Sequence, residues 1–220
     1  MQGLTYEDIV IIGDSFAYHR FQNSDWPKYL TYLLTNQYDQ PRGKGFPGAS
    51  WWSTRKCLLE EIKKKPIKLL ILCHTEPSRI PSDHDFGLNI SSVNSNGIYV
   101  AEDKKINFYD QILIASKLYF EHLISLDFHK WARLKWLEEL DTLVEEYQIP
   151  KVIHLYCFKD LSNIEFKNGI TISSILKNRM TMHDIKARNH FTEEVNIQLA
   201  KELYKVINGG INSGVVNINI

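Results

Sequence analysis

The chain opens its hydrophobic pattern with Asp8-Ile9-Val10-Ile11-Ile12-Gly13-Asp14-Ser15-Phe16. Four successive β-branched apolar residues predict a strand buried on both faces, with a turn at Gly13 where a side chain would be penalised. A second run, Ile67 to Cys73, and a third, Lys151 to Tyr156, have the same character. Between them lie segments of helical period. Ser24-Asp25 precedes Trp26-Pro27, a capped start with proline in the first turn, and Trp26, Tyr29, Leu30, Leu33 and Leu34 then recur on one helical face. Ser50 to Lys64 predicts a second helix that ends in lysines before Pro66. Residues 108–126 and 128–147 predict two more, the latter with Leu134, Leu137, Leu140, Leu143, Val144 and Tyr147 as its apolar stripe. Ile170 to Asn178 is read as a short helix. Thr192 to Ile207 is read as a capped terminal helix with Val195, Leu199, Leu203 and Val206 inward.

Strands separated by helices predict crossover connections and a mostly parallel sheet. The expected fold is α/β, a three-layer αβα sandwich in one domain over residues 1–207. An irregular insertion is expected at about residues 80–105, with a hairpin at Asn96-Gly97. The tail 208–220, rich in Gly and Asn and then alternating Val215, Val216, Ile218 and Ile220, is left open between an added edge strand, a partner-binding arm and a disordered end.

Composition narrows the function classes. Lys+Arg and Asp+Glu both number 26, so no general basic field favours nucleic acid. The three cysteines, Cys57, Cys73 and Cys157, have neither CxxC nor zinc spacing, which predicts free thiols in a reducing compartment. No basic-then-apolar leader opens the sequence and no run of about 18 apolar residues occurs, so neither a signal peptide nor a membrane span is expected. The glycines of Pro41 to Ser50 fit neither GxGxxG nor the Walker spacing, which argues against a nucleotide cofactor. His74, His84, His122, His129, His154 and His183 show no metal-ligand spacing, and no metal is expected.

The polar clusters fall at strand ends and helix starts: Asp14-Ser15, His74 to Arg79, and Asn189-His190-Phe191-Thr192, with the loop at Pro47-Gly48-Ala49-Ser50. In a doubly wound sheet such segments meet at one edge. A serine hydroxyl becomes a nucleophile when a histidine takes its proton, and backbone N–H groups then hold the oxyanion. Ser15 and His190 fit the first two roles, and the amides of Ser15 and Gly48 fit the third. Each has a structural counterpart: Asp14 and Ser15 are good helix caps, Gly48 suits a turn, and Glu76 with Arg79 suits a buried ion pair.

The sequence Ile11-Ile12-Gly13-Asp14-Ser15 resembles the first block of the SGNH (GDSL-type) hydrolases, Phe46-Pro47-Gly48-Ala49-Ser50 their second, and Asn189-His190-Phe191-Thr192 the block that carries their catalytic histidine. The resemblance runs from about residue 8 to residue 207. It implies a flavodoxin-like SGNH sandwich and metal-free ester hydrolysis, often deacetylation of carbohydrate. Two positions depart from the pattern. His74-Thr75-Glu76-Pro77 stands where the family has Gly-x-Asn-Asp, so Thr75 takes the place of an oxyanion donor, beside Glu76 and a neutralising Arg79. Ala187 stands where the family's acid lies, and Asp184 substitutes for it only if the loop bends back. Asp14, Glu76, Arg79 and Asn189 are the expected substrate-binding neighbours. The Thr-containing third block followed by Ser-Arg, the long helical pair and Asn-His before the last helix resemble SGNH-like proteins encoded by tailed phages. That resemblance implies either a carbohydrate-modifying enzyme or a virion component partnered by phage structural proteins, in a host cytoplasm or on the particle.

Overall fold

A computed structural model describes residues 3–18, 25–46, 48–77, 79–82, 109–156, 166–172 and 191–218. Five strands, β1 (Ile9–Ile12), β2 (Leu69–His74), β3 (Val152–Tyr156), β4 (Gly169–Ile172) and β5 (Ser213–Val216), form one sheet in the order β1-β2-β3-β4-β5, every pair parallel. The helices are α1 (Trp26–Thr35), α2 (Trp51–Lys64), α3 (Tyr109–Leu118), α4 (Leu126–Glu146) and α5 (Glu193–Asn208).

The side chains of β1 to β3 alternate between two cores. Ile9, Ile11, Leu69, Ile71, Cys73, Ile153 and Leu155 pack with Trp26 and Leu30 of α1 and Leu199 and Leu203 of α5. Val10, Ile12, Leu70, Leu72, Val152 and Tyr156 pack with Leu58 and Ile62 of α2 and Trp136 and Leu140 of α4. Helices therefore cover both faces, the arrangement of a three-layer αβα sandwich, and burial on both faces is why these strands read as unbroken apolar runs.

A short segment extends the sheet beyond β1. The Arg42 and Lys44 carbonyls accept from Ile11 and Gly13 N–H, and Arg42 and Phe46 N–H donate back to Ile9 and Gly13 carbonyls. Residues 42–46 thus lie parallel to β1 on the side away from β2. The chain steps to one side of β1 first and to the other side afterwards, so the switch point of a doubly wound sheet falls at the carboxyl ends of β1 and β2. Arg42 fastens this edge: its guanidinium pairs with Glu61 and donates to carbonyls at the end of α2, Glu61 and Lys65 among them.

Several expectations change in the structure. Ile170 to Ile172 is strand, not helix, because pairing with β3 overrides a weak local preference; residues 173–178 lie outside the described residues. The two helices before β3 are divided by a π turn at Tyr119–Leu123 and an extended Ile124-Ser125, with Ser125 Oγ capping α4 by accepting from Phe128 N–H. Leu134 and Tyr147 are exposed and do not belong to the α4 stripe, whose buried members are Trp136, Leu137, Leu140, Leu143 and Val144. The tail forms edge strand β5. Most of the expected insertion, residues 83–105, lies outside the described residues. Cys57 and Cys73 are not joined in a disulfide, and burial pushes the Cys57 thiol up to about 11; Cys157 lies outside the described residues. Among the described residues no helix is long and apolar enough to cross a membrane.

Candidate active site at the sheet switch point

β1 delivers Gly13, Asp14 and Ser15 to the switch point. Gly13 does not owe its place to an unusual backbone angle. A Cβ there would lie 2.5 Å from Cys73 Cβ and 2.6 Å from the Cys73 carbonyl oxygen, so its glycine lets β1 and β2 close together at the rim. Asp14 is wholly buried. Its Oδ1 accepts from Phe16 N–H at 3.0 Å and starts a one-turn 3₁₀ helix, Ser15–Ala17. Ala17 and Tyr18 N–H bond back to the Asp14 and Ser15 carbonyls. Ser15 N–H stands outside these hydrogen bonds, at the start of the turn where donors are unspent. Ser15 itself is half-buried, and among the described residues its hydroxyl has no hydrogen-bond partner.

Arg79 closes the other side. Its Nη1 lies 2.9 Å from Asp14 Oδ2 and 3.3 Å from the Ala49 carbonyl, and its Nε lies 3.4 Å from Glu76 Oε2. One guanidinium thus links the β1 turn, the β2 turn and the loop before α2. Burial lifts the Asp14 carboxyl above the ordinary aspartate value; Arg79 and the Phe16 N–H oppose this, and Glu76 adds to it. The Asp14 carboxylate is spent inside the protein rather than presented at the surface. Thr75 is buried directly beyond β2. Gly48 has φ +74°, a left-handed conformation that suits glycine, and Ser50 Oγ caps α2 by accepting from Ser53 N–H.

Asp184, Asn189 and His190 lie outside the described residues. Phe191, which follows His190, packs its ring 5.0 Å from that of Phe16, which follows Ser15. Buried Trp26 and Asn196 reinforce this. The Trp26 indole N–H donates to the Phe16 carbonyl at 2.6 Å, Trp26 N–H donates to Asn196 Oδ1, and Asn196 Nδ2 donates to the Phe191 and Thr192 carbonyls. Sequence reasoning did not find Asn196. Its only signal is a polar residue on the buried stripe of α5, between Val195 and Leu199.

A second feature lies on the opposite side of β2. The His154 Nε2–H donates to the Asn168 carbonyl, which can only accept, so His154 Nδ1 keeps a lone pair and accepts from His74 Nε2–H at 3.1 Å. His74 stacks on Tyr156 with ring centroids 4.2 Å apart, and His154 stacks on Phe166 at 3.5 Å. Burial holds both imidazoles neutral: His74 is driven well below the ordinary value and His154 down to about 3. The pair anchors the end of β2, one residue before Thr75. Among the described residues no group of His, Cys, Asp and Glu is arranged to hold a metal.

No family model, no curated protein and no solved structure matches this chain.

Proposed function

We propose that the protein is an SGNH-type serine hydrolase with a flavodoxin-like sandwich, acting on esters of the O-acetylated carbohydrate class. The observation that carries the reading is the Phe16–Phe191 contact, because it joins the residue after Ser15 to the residue after His190. Support also comes from the switch point, where doubly wound sheets bind ligands, and from a serine hydroxyl with no partner among the described residues.

In this reading Ser15 Oγ attacks the ester carbonyl while His190 takes its proton. The N–H groups of Ser15 and Gly48, with the Thr75 hydroxyl, hold the oxyanion. The proton passes from His190 to the leaving alcohol, and water then releases the acid from the acyl-enzyme by the reverse exchange. Arg79 offsets Glu76 next to the oxyanion position, where an uncompensated carboxylate would cost several kcal/mol, an order-of-magnitude Coulomb estimate. With Ala187 in the acid position the machinery is a Ser-His dyad, with Asp184, six residues before His190, as the carboxylate that could stand in for the acid.

The second reading is a non-catalytic SGNH-like module, either a virion structural component or a glycan-binding protein. Ala187 and the Thr75-Glu76 replacement favour it. A fluorophosphonate probe separates the two. Labelling that disappears in Ser15→Ala, with 4-nitrophenyl acetate turnover falling at least about 10³-fold in Ser15→Ala and in His190→Ala, is expected of the enzyme. Absence of labelling overturns it in favour of the module.

A further inference from the structure

Helix α4 has 21 residues, about 31 Å, whereas β3 spans only five, about 17 Å. The buried stripe of α4 begins at Trp136, and no residue from Leu126 to Lys135 is buried. Because α4 leads into the start of β3 and packs along it, its first ten residues project past the carboxyl edge of the sheet. They carry apolar side chains into solvent. Ile114 and Leu118 on α3, Leu123 in the π turn, and Leu126, Phe128, Trp131 and Leu134 on α4 are between 39% and 73% exposed. These seven expose roughly 700 Å² between them, taking about 150–250 Å² for a whole large side chain. Phe128, Trp131 and Leu134, which share one face of α4, supply roughly 300 Å² of it, enough for the apolar centre of an interface whose rim is polar. The π turn is itself anchored, through buried Phe120 against Ile80, one residue from Arg79.

The order of residues on this projecting helix selects the occupant. Trp131 is flanked three residues away on either side by Phe128 and Leu134, and four residues away by Asp127 and Lys135. All five fall on one face within about 60° of Trp131, at 100° per residue. We propose that this face of α4 pairs with the same face of a second copy of the chain, antiparallel about a twofold axis at Trp131. In that register Trp131 meets its own counterpart, Phe128 meets Leu134 of the other copy, and Asp127 meets Lys135. Trp131 lies at the centre, Phe128 and Leu134 flank it, and the opposite charges follow one residue further along the axis, a self-complementary order for a twofold interface. Lys135 also contacts Glu138 of its own helix, but both are exposed, and such a pair is weak enough to yield.

Sedimentation and light scattering of the full chain test this independently of any hydrolase activity. The expected mass is twice the 25.7 kDa of one chain. Trp131→Ala should raise the dissociation constant at least about 30-fold. Asp127→Lys and Lys135→Asp should each weaken the dimer, and the two together should restore it, with circular dichroism and thermal unfolding as checks that the variants fold. A monomeric wild type at about 100 µM, a dimer indifferent to Trp131→Ala, or a double charge swap that restores nothing overturns the proposal. A monomer whose amides over 126–135 resist hydrogen exchange would put another part of the chain on this face, and it also overturns it.

Discussion

His74 and His154 are held neutral inside the protein, and that has a calculable acid cost. Above about pH 6.5 both folded and unfolded chains carry neutral rings, and the stabilisation is fully present. As the pH falls below that value the unfolded chain takes up protons that the folded rings refuse, down to about 3 for His154. Stability should therefore fall by about 1.4 kcal/mol per pH unit across that window for His154, and His74 adds a loss of the same sign. Asp14 works in the opposite sense, because its raised folded value favours protonation in the native state. Urea midpoints at about pH 7, 5.5 and 4.5 for wild type and His154→Gln check the sign: the variant should lose about 1.4 kcal/mol per unit of the wild-type slope. An unchanged slope would show that His154 is not held neutral. At this scale the sequence is legible where local chemistry decides, as with the Asp14 cap and the Arg79 counter-charge to Glu76. It misleads at Gly13, which suggests a turn requirement, because the real constraint is Cys73 on a strand about sixty residues away.

Elements follow the sequence where their periodicity is strong and their packing one-sided. The stripes of α1 and α5, and the Ser50, Ser125 and Thr192 caps, satisfy local rules. The stripe of α4 reads wrongly at Leu134 and Tyr147, because nothing in a helical repeat records where the supporting sheet ends. β4 reads wrongly because its strand state comes from β3. Asn196 is the polar residue that a periodicity argument passes over, yet it links α1, α5 and the Phe191-Thr192 segment. Asn196→Leu should leave Trp26 N–H and the Phe191 carbonyl unpaired and reduce stability by about 1–3 kcal/mol, measured by urea denaturation. A loss below about 0.5 kcal/mol, the scatter of an ordinary surface change, would remove it from this role.

At the scale of the molecule, the parallel sheet was legible from strands alternating with helices, and its switch point follows from where residues 42–46 lie. The meeting of the Phe16 and Phe191 segments was legible only as the sum of separate motifs, since no local signal records contacts across so much chain. The two margins of that sheet are unequally defended. The margin at residues 42–46 is set between Pro41 and Pro47 and carries Arg42 and Lys44, the proline and positive charge that discourage strand addition. The margin at β5 is exposed, and residues 206–220 contain no charged side chain and no proline. Fibril growth in concentrated solution should begin from that side, strand upon strand. Val215→Lys, at a position 60% exposed, should lengthen the lag before thioflavin fluorescence rises and leave the unfolding midpoint unchanged, while an identical lag would mean that growth starts elsewhere.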